Sequence, residues 1–292
     1  MKFGLIGHPI EHSLSPALFK AGYDGMYPYD LIITEDFEEA YRIFLEGYDG
    51  INVTAPFKEL ALKKADILSE ECQKIGATNL LIKTAGGIMA HNSDYLGVRI
   101  WIEEISRLAS LTRNDREAAR NDREATRNDR ETVQNDRETA QNDKEGRDIE
   151  EKTTVLIVGM GGAGKAAAEA ARSLGCEVIL MNRTQYSDEI RPLGEFKEAF
   201  KVADIVIYNL PVRLPELDRI GKEDFIEGKP KNILEANYRN PSFDKDLIQK
   251  LEGMHPQIRY TGGETWLLLQ ALTGYEIFTG QKPDLEKMAA RL

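Results

Sequence analysis

A short apolar segment followed at once by spaced glycines constrains this 292-residue chain more than any other feature. Residues 153–158 read TTVLIV, a β-branched run typical of a strand buried on both faces of a sheet. Gly159, Gly161 and Gly164 follow, and then an alanine-rich segment through about Leu174 that favours a helix. Spaced glycines between a strand and a helix predict a dinucleotide site, because they let backbone N–H groups approach a pyrophosphate.

Three spaced glycines alone also occur in ordinary turns, so the segments that follow them matter. Each of three later segments is apolar and short enough to be a buried strand. These segments are 177–181, 204–208 and 232–236. The strand–helix alternation therefore favours a nucleotide-binding domain, and the tail at 263–280 and 284–292 predicts two helices.

The end of the second strand of this domain indicates which dinucleotide is bound. An NAD site usually carries an Asp or Glu there, which accepts from the ribose hydroxyls. This chain instead has Asn182, Arg183 and Thr184. A guanidinium can bind the 2′-phosphate of NADP, so Arg183 favours NADP, although an ordinary surface arginine remains the alternative.

The first third of the chain also alternates strands with helices, which predicts an α/β layer. Its strand candidates are 3–7, 30–34, 50–54, 79–83 and 88–91. Helices are expected from Ser15-Pro16, with Ser15 as N-cap, over 36–46, from Pro56, and from Asp94 onward.

Composition narrows the class of protein. The chain has 38 Lys and Arg against 49 Asp and Glu, a formal net charge of −11. We expect no nucleic-acid partner, because phosphate neutralisation needs clustered basic residues. No apolar run approaches the roughly 20 residues of a membrane span, and the first residues do not predict a signal peptide. Cys72 and Cys176 form neither a disulfide framework nor a metal motif, so we expect a cytoplasmic protein without a metal.

A heptad repeat interrupts the chain at 114–148, beginning NDREAAR. A coiled coil needs large aliphatic residues at two positions of each heptad, and Val133 is the only such residue here. The repeat therefore predicts a solvated low-complexity insertion, disordered or a frayed helix. A partner-binding arm is the alternative.

Polar clusters follow several of the N-terminal strands. They are HSLSP at 12–16, NVTAPFK at 52–58, ATN at 77–79 and HNSD at 91–94. Each cluster alone has an ordinary explanation, such as a helix cap or a solvated lysine. Together, several hydroxyls, two amides, one Lys and one Asp suit a small polyhydroxylated, carboxylated ligand.

These clusters occur in an order that resembles the shikimate dehydrogenase family (shikimate/quinate dehydrogenases). The motifs that match are SLSP at 13–16, NVTAPFK at 52–58, ATN at 77–79, NSD at 92–94, GMGGAGKA at 159–166, NRT at 182–184 and the helix that carries Gln270. The resemblance covers nearly all of the chain outside the repeat.

The resemblance implies a role for each matching residue. Lys58 and Asp94 are the expected catalytic residues, and Ser13 and Ser15 are expected to bind the substrate carboxylate. The other expected substrate contacts are Thr54, Asn79, Tyr238 and Gln270. The expected NADP contacts are Gly159, Gly161, Gly162, Ala163, Gly164, Asn182, Arg183 and Thr184.

The resemblance also implies a fold and a reaction. It implies two α/β domains: a discontinuous substrate-binding domain at 1–110 plus 263–292, and a Rossmann-type NADP-binding domain at 152–262. The low-complexity insertion lies between them at 111–151. The implied reaction is NADPH-dependent, reversible reduction of 3-dehydroshikimate to shikimate in chorismate and aromatic amino-acid biosynthesis. The alternatives are an NAD-linked quinate/shikimate dehydrogenase and a non-catalytic metabolite-binding relative; a monomer and a homodimer both stay open.

Four features differ from the family pattern, and one of them is the heptad repeat at 114–148, where the family has a short connection. Phe19-Lys20 stands where the family often has His-Asn. Arg213 replaces a glycine in the loop at 208–213, which in the family lies beside the nicotinamide. Gln185, Tyr186 and Ser187 follow Thr184, where a second basic residue is common.

Overall fold

The computed structural model describes residues 1–108 and 152–292. Its contacts place Met1–Trp101 and Thr153–Leu292 together in the larger of two units. The heptad repeat at 114–148 and the insertion predicted at 111–151 lie outside the described residues.

The first sheet of the larger unit has six strands and mixed direction. The strands are β1 Phe3–Gly7, β2 Tyr29–Ile33, β3 Gly50–Val53, β4 Ile67–Leu68, β5 Leu80–Thr84 and β6 Gly87–His91. Their order across the sheet is β2-β1-β3-β5-β6-β4. β5 runs antiparallel to both β3 and β6, and the other pairings are parallel. The start of β5 therefore lies at the same edge as the ends of β1, β3 and β6.

Five helices accompany this sheet. They are α1 Ser15–Gly22, α2 Phe37–Gly47, α3 Lys58–Lys63, α4 Glu70–Ile75 and α5, which occupies 93–108. The prediction that Ser15 caps α1 is wrong: Leu14 is the N-cap. Ser15 is instead the first helical residue, and its N–H donates to Ser13 Oγ at 3.2 Å. α3 begins two residues after Pro56, because residues 54–57 form a turn closed by the Phe57 N–H on the Thr54 carbonyl.

The second sheet also has six strands, and all of them are parallel. The strands are β7 Thr154–Val158, β8 Glu177–Asn182, β9 Ile190–Pro192, β10 Ile205–Tyr208, β11 Lys231–Glu235 and β12 Ile258–Thr261. Their order is β12-β11-β10-β7-β8-β9. The connecting helices are α6 Gly162–Ser173, α7 Phe196–Val202, α8 Pro215–Asp218 and α9 Lys245–Met254. Strand order reverses after β7, where such sheets bind ligands at the carboxyl edge.

Two helices end the chain, α10 Gly263–Thr279 and α11 Leu285–Ala289, and they pack on the first sheet. The Phe278 ring stacks on Phe3, with ring centroids 4.9 Å apart. The Tyr275 hydroxyl donates to the carbonyl of Ser15 at 3.0 Å. The α/β class is confirmed, whereas the domain boundaries at 110, 152 and 262 stay predictions. Within 1–108 and 152–292, no helix has the length and apolar character that a bilayer span requires.

Candidate active site

A cavity of about 410 Å³ lies at the edge where β1, β3 and β6 end and β5 begins. All eight residues predicted to act on the substrate line it. They are Ser13, Ser15, Thr54, Lys58, Asn79, Asp94, Tyr238 and Gln270. Ala163, from the first turn of α6, also borders the cavity. The fold thus brings the predicted substrate residues to the start of α6, the helix that follows the glycine-rich turn.

Lys58 and Asp94 form an ion pair in this cavity. The Lys58 Nζ lies 2.5 Å from Asp94 Oδ2, and the side chains are 15% and 13% exposed. Lys58 is the first residue of α3, and Asp94 lies in the first turn of α5. Burial weakens solvent screening, so the ammonium is held by a strong charge-assisted hydrogen bond.

Asn92 fixes the start of the helix that carries Asp94. Its side-chain Oδ1 accepts from the Tyr95 N–H at 3.1 Å, which caps α5. The Asn92 N–H donates to Glu71 Oε1 at 3.3 Å. Burial tends to raise the pKa of Glu71, but hydrogen bonds from His91, Ser69 and the backbone outweigh it and lower this pKa to about 2. Glu71 therefore stays ionised and anchors the loop before Asp94.

A buried network joins Asn79, Ser93 and Gln270. Asn79 Oδ1 accepts from the Ser93 N–H at 2.7 Å, and the Ser93 hydroxyl donates to Gln270 Oε1 at 3.1 Å. Gly97 permits the close approach of α5 to α10, because a Cβ there would lie 2.7 Å from the backbone nitrogen of Gln270. The network ties the C-terminal helix α10 to the first sheet at the cavity.

Ser13, Ser15 and Tyr238 meet on another side of the cavity. The Ser13 and Ser15 hydroxyls are hydrogen-bonded at 3.2 Å. Tyr238 follows β11, and its hydroxyl is hydrogen-bonded by the backbone of Leu14. Burial raises the pKa of Tyr238, while the charge of Arg239 and the Leu14 contact oppose that rise. These three hydroxyls converge on a common region, as a bound carboxylate requires.

Several cavity residues were not assigned a role from the sequence. They include His8, Asn52, Arg239 and Trp266. Asn52 stands within NVTAPFK, and the half-buried Tyr29 donates its hydroxyl to Asn52 Oδ1 at 2.8 Å. The position of Asn52 at the end of a buried strand was the signal that could have identified it. Arg239 follows the assigned Tyr238 directly, and its charge was the signal there.

The glycine-rich turn has the geometry that a dinucleotide needs. Gly159 has a φ of 94°, a conformation that disfavours other residues. A Cβ on Gly164 would lie 1.9 Å from the carbonyl oxygen of Gly159, so this position accepts only glycine. Gly161 is the N-cap of α6 and Gly162 its first residue, so free backbone N–H groups face outward there. These residues, with Ala163, fit a bound pyrophosphate.

Asn182, Arg183 and Thr184 lie beside this turn. Asn182 Oδ1 accepts from the Met160 N–H at 3.2 Å, and its Nδ2 donates to the Thr184 carbonyl at 3.0 Å. The Tyr186 hydroxyl donates to the Met160 carbonyl at 3.2 Å. Arg183 is exposed and has no ion-pair partner among residues 1–108 and 152–292. Its guanidinium is therefore available to a phosphate.

Arg213, which replaces the family's glycine, is held away from the cavity lining. Its guanidinium forms ion pairs with Asp218 and Asp244. The Tyr208 hydroxyl donates to the Val212 carbonyl at 2.7 Å and so also ties down the loop at 208–213. Phe19, the other notable departure, is a fully buried core residue. In the described part of the chain, no cluster of His, Cys, Asp or Glu could hold a metal ion.

Two separate segments of the chain match known families. Residues 5–81 match the shikimate dehydrogenase substrate binding domain. Residues 117–252 match the NAD binding domain of D-isomer specific 2-hydroxyacid dehydrogenases. A shikimate dehydrogenase (NADP(+)) from Carboxydothermus hydrogenoformans is 25% identical over 306 residues, covering 98% of this chain and 94% of that protein.

The resemblance to the shikimate dehydrogenase family is confirmed. A pentafunctional AROM polypeptide from Candida tropicalis is 29% identical over 260 residues, or 86% of this chain. The alignment spans only 13% of that polypeptide.

Two solved structures share the fold. Shikimate 5-dehydrogenase from Thermus thermophilus, in complex with NADP(H) and shikimate, has a TM-score of 0.69 at 24% identity, covering 100% of this chain and 98% of that one. Quinate dehydrogenase from Corynebacterium glutamicum, in complex with NAD, has a TM-score of 0.71 at 20% identity and the same coverage. The predicted fold, a substrate-binding α/β domain and a Rossmann-type nucleotide-binding domain, is confirmed.

Proposed function

We propose that this chain is an NADP-dependent oxidoreductase that reversibly reduces 3-dehydroshikimate to shikimate, a step toward chorismate and the aromatic amino acids. The observation that carries the proposal is the Lys58–Asp94 ion pair at 2.5 Å, in a cavity that also touches the first turn of α6. Similarity to curated shikimate dehydrogenases (NADP(+)) over nearly the whole chain supports the choice of substrate and cofactor.

The cavity can orient a hydroxylated carboxylic acid by both ends. The hydroxyls of Ser13, Ser15 and Tyr238 bind the carboxylate, and Thr54, Asn79 and Gln270 bind the ring hydroxyls. Asn79 and Gln270 are already joined through Ser93, so their side chains are positioned before the substrate enters. Such preorganisation lowers the entropic cost of binding.

Lys58 acts on the reacting oxygen. When bound, a nicotinamide cofactor would supply or accept the hydride. As the ring ketone is reduced, negative charge develops on its oxygen, and the Lys58 ammonium stabilises that charge and donates a proton to it. Asp94 holds the Lys58 Nζ in place through their ion pair. In the oxidative direction, the Lys58 amine accepts the proton from the substrate hydroxyl.

The cofactor is held mainly by backbone atoms and one guanidinium. Gly159, Gly161, Gly162, Ala163 and Gly164 form the turn that receives the pyrophosphate. Asn182 and Thr184 shape the neighbouring loop, and the exposed Arg183 would bind the 2′-phosphate. Both cysteines are free thiols, which supports a cytoplasmic location. The partner we propose is this small-molecule substrate, with a monomer and a homodimer both compatible with the site.

An NAD-linked quinate/shikimate dehydrogenase is the second candidate. The fold similarity to a quinate dehydrogenase in complex with NAD favours it. So does the loop after Thr184, where Gln185, Tyr186 and Ser187 supply no second cation for a 2′-phosphate. The ion pair of Lys58 and Asp94 serves either substrate, because both acids present a hydroxyl to be oxidised.

The deciding experiment is a steady-state assay of the purified 292-residue chain. Shikimate and quinate are each oxidised with NADP and with NAD, and kcat/KM is measured for the four combinations. We expect the highest value for shikimate with NADP. A higher value for quinate with NAD would establish the second candidate, and no oxidation in any combination would reject both.

A further inference from the structure

The loop that follows β11 carries a cation whose role is not explained by the residues assigned so far. Tyr238 and Arg239 both line the cavity, and the Arg239 side chain is exposed to it. Arg239 has no ion-pair partner in the described part of the chain. Glu264 on α10 acts on the neighbouring Tyr238 but forms no ion pair with Arg239.

The loop is held rigidly at its base by a buried carboxylate. Glu235, the last residue of β11, is fully buried. Its oxygens accept from the N–H groups of Ser242 and Phe243, at 2.5 and 3.2 Å, and from the Tyr260 hydroxyl at 2.9 Å. Both ends of the loop are thereby joined, and a buried carboxylate with satisfied hydrogen bonds enforces this arrangement.

Asn237 stabilises the loop from within. Its Oδ1 accepts from the backbone N–H groups of Arg239 and Asn240, both at 3.2 Å, and its Nδ2 donates to the Asn240 carbonyl at 2.7 Å. The backbone from which the Arg239 side chain projects is therefore fixed, so less entropy is lost when the side chain binds a ligand.

Arg239 is connected to the serines through Tyr238. The Tyr238 hydroxyl is hydrogen-bonded to the backbone of Leu14, which stands between Ser13 and Ser15. Arg239, the next residue in the chain, also lines the cavity, and its charge acts on the Tyr238 hydroxyl that contacts Leu14. The proposed function places the substrate carboxylate at this hydroxyl and at those of the two serines.

The charges of the residues that line the cavity also favour a ligand with a carboxylate. Lys58 and Asp94 neutralise each other, so Arg239 gives the cavity lining a net positive charge. The chain as a whole has a net charge of −11, which disfavours anions elsewhere on its surface. A local unpaired guanidinium would compensate for this repulsion, and its planar fork suits a carboxylate.

We propose that Arg239 is a specificity-determining residue that binds the substrate carboxylate beside Ser13, Ser15 and Tyr238 and selects anionic substrates. The proposal rests on the proposed function for the identity of the substrate. It adds a charge-based contact to a carboxylate site otherwise built from neutral hydroxyls.

The test compares Arg239→Ala and Arg239→Lys with the wild type, using shikimate and its uncharged carboxamide. For Arg239→Ala we expect the KM for shikimate to rise roughly 10-fold, as expected for loss of a charge-assisted hydrogen bond in a partly exposed site. The KM for the carboxamide and the KM for NADP should stay unchanged. Arg239→Lys should recover part of the loss, because it keeps the charge but not the fork.

Arg259→Ala is the matched control, because Arg259 is an exposed arginine on β12 that does not line the cavity. Its KM values should equal those of the wild type. An unchanged KM for shikimate in Arg239→Ala, or an equal rise for the acid and the carboxamide, would overturn the proposal while leaving the proposed function intact.

If the wild type oxidises no shikimate, calorimetric measurement of shikimate binding still tests whether Arg239 contacts the carboxylate. The proposed function then fails, but a roughly 10-fold weaker binding in Arg239→Ala would still support the carboxylate contact. Equal binding in both proteins, or no binding in either, would overturn it.

Discussion

The mixed first sheet and the parallel second sheet turn different kinds of atoms toward the ligands. The first sheet contributes side chains from strand ends and following helices, such as Lys58, Asn79 and Asp94. The second contributes mainly backbone, in the turn from Gly159 to Gly164. Chemistry on the substrate needs specific functional groups, whereas a pyrophosphate needs close backbone approach.

The difference in strand direction explains why the first sheet presents side chains and the second presents backbone to a ligand. Because β5 is antiparallel to β3 and β6, the start of one strand and the ends of its neighbours meet at the same edge. Side chains that are distant in the chain therefore converge there. In the parallel sheet, β7 feeds directly into α6, so one short turn forms the nucleotide site. Substitutions that remove side chains should damage the first region most, and those that add a Cβ should damage the second.

Removing the Lys58 side chain is expected to have the largest effect. Lys58→Ala should lower kcat by roughly 10²–10⁴-fold, since the developing oxyanion loses its cation and proton donor. The shikimate KM should change much less. Steady-state kinetics measure both, with Lys63→Ala, an exposed lysine on the same helix, as control. A Lys58→Ala enzyme that retains half of the wild-type kcat would remove Lys58 from the mechanism.

Adding a methyl group to Gly164 tests the backbone character of the second site. Its Cβ would lie 1.9 Å from the Gly159 carbonyl oxygen, so the turn must move. Overpacking of this kind typically costs about 1–3 kcal/mol, and we expect NADPH binding to weaken by up to roughly 100-fold. Fluorescence titration with NADPH measures this. Gly253→Ala on α9, where a Cβ meets no atom within 4 Å, is the control and should bind normally.

Arg183 is the one residue of the proposed nucleotide site that is expected to bind the cofactor through a charged side chain rather than through backbone atoms. Arg183→Ala should lower kcat/KM for NADP by about 10-fold and leave NAD nearly unchanged, because an exposed guanidinium lies at the low end of charged hydrogen-bond energies. Arg191→Ala, another exposed arginine in the neighbouring strand β9, serves as control. If the wild type already prefers NAD, or if Arg183→Ala impairs both cofactors equally, the assignment of Arg183 is refuted.

The heptad repeat should matter least to either region. Deleting 114–148 is expected to change shikimate turnover and the thermal midpoint little, since these residues carry almost no large apolar side chains and loop length adds little closure entropy. Activity and melting of the deletion variant are compared with those of the full chain. Loss of soluble protein or a large fall in turnover would show that the repeat has a structural role.

Much of the fold could be predicted because its core strands are short apolar runs. β1 and β7 occur where the sequence predicts them, and the glycine turn lies between β7 and α6 as expected. Segments with weaker patterns were missed. The two-residue strand β4 and the short helix α4 have too few residues for a periodic signal, and Glu71 on α4 could not be linked to the site from sequence alone.

The cavity was predicted better than its hydrogen-bond network. Motifs placed Lys58, Asn79 and Asp94 together, because their order matched a known family. The contact of Ser93 with Gln270 joins residues 177 positions apart, and no local pattern predicts such a pair. The charge of Arg239 beside Tyr238 could have made it a candidate, but its lack of an anionic partner among the described residues is visible only in the folded loop.

The packing of α10 and α11 on the first sheet has a consequence for the order of folding during synthesis. Phe3 and Leu18 are synthesised long before Tyr275, Phe278 and Met288, so their apolar contacts with those residues form only after α10 and α11 have been made. The parallel sheet is complete once Thr261 has emerged. Domains generally fold as units during synthesis. We therefore expect the nucleotide-binding region to fold first. The first sheet keeps an exposed apolar face until α10 and α11 have been made.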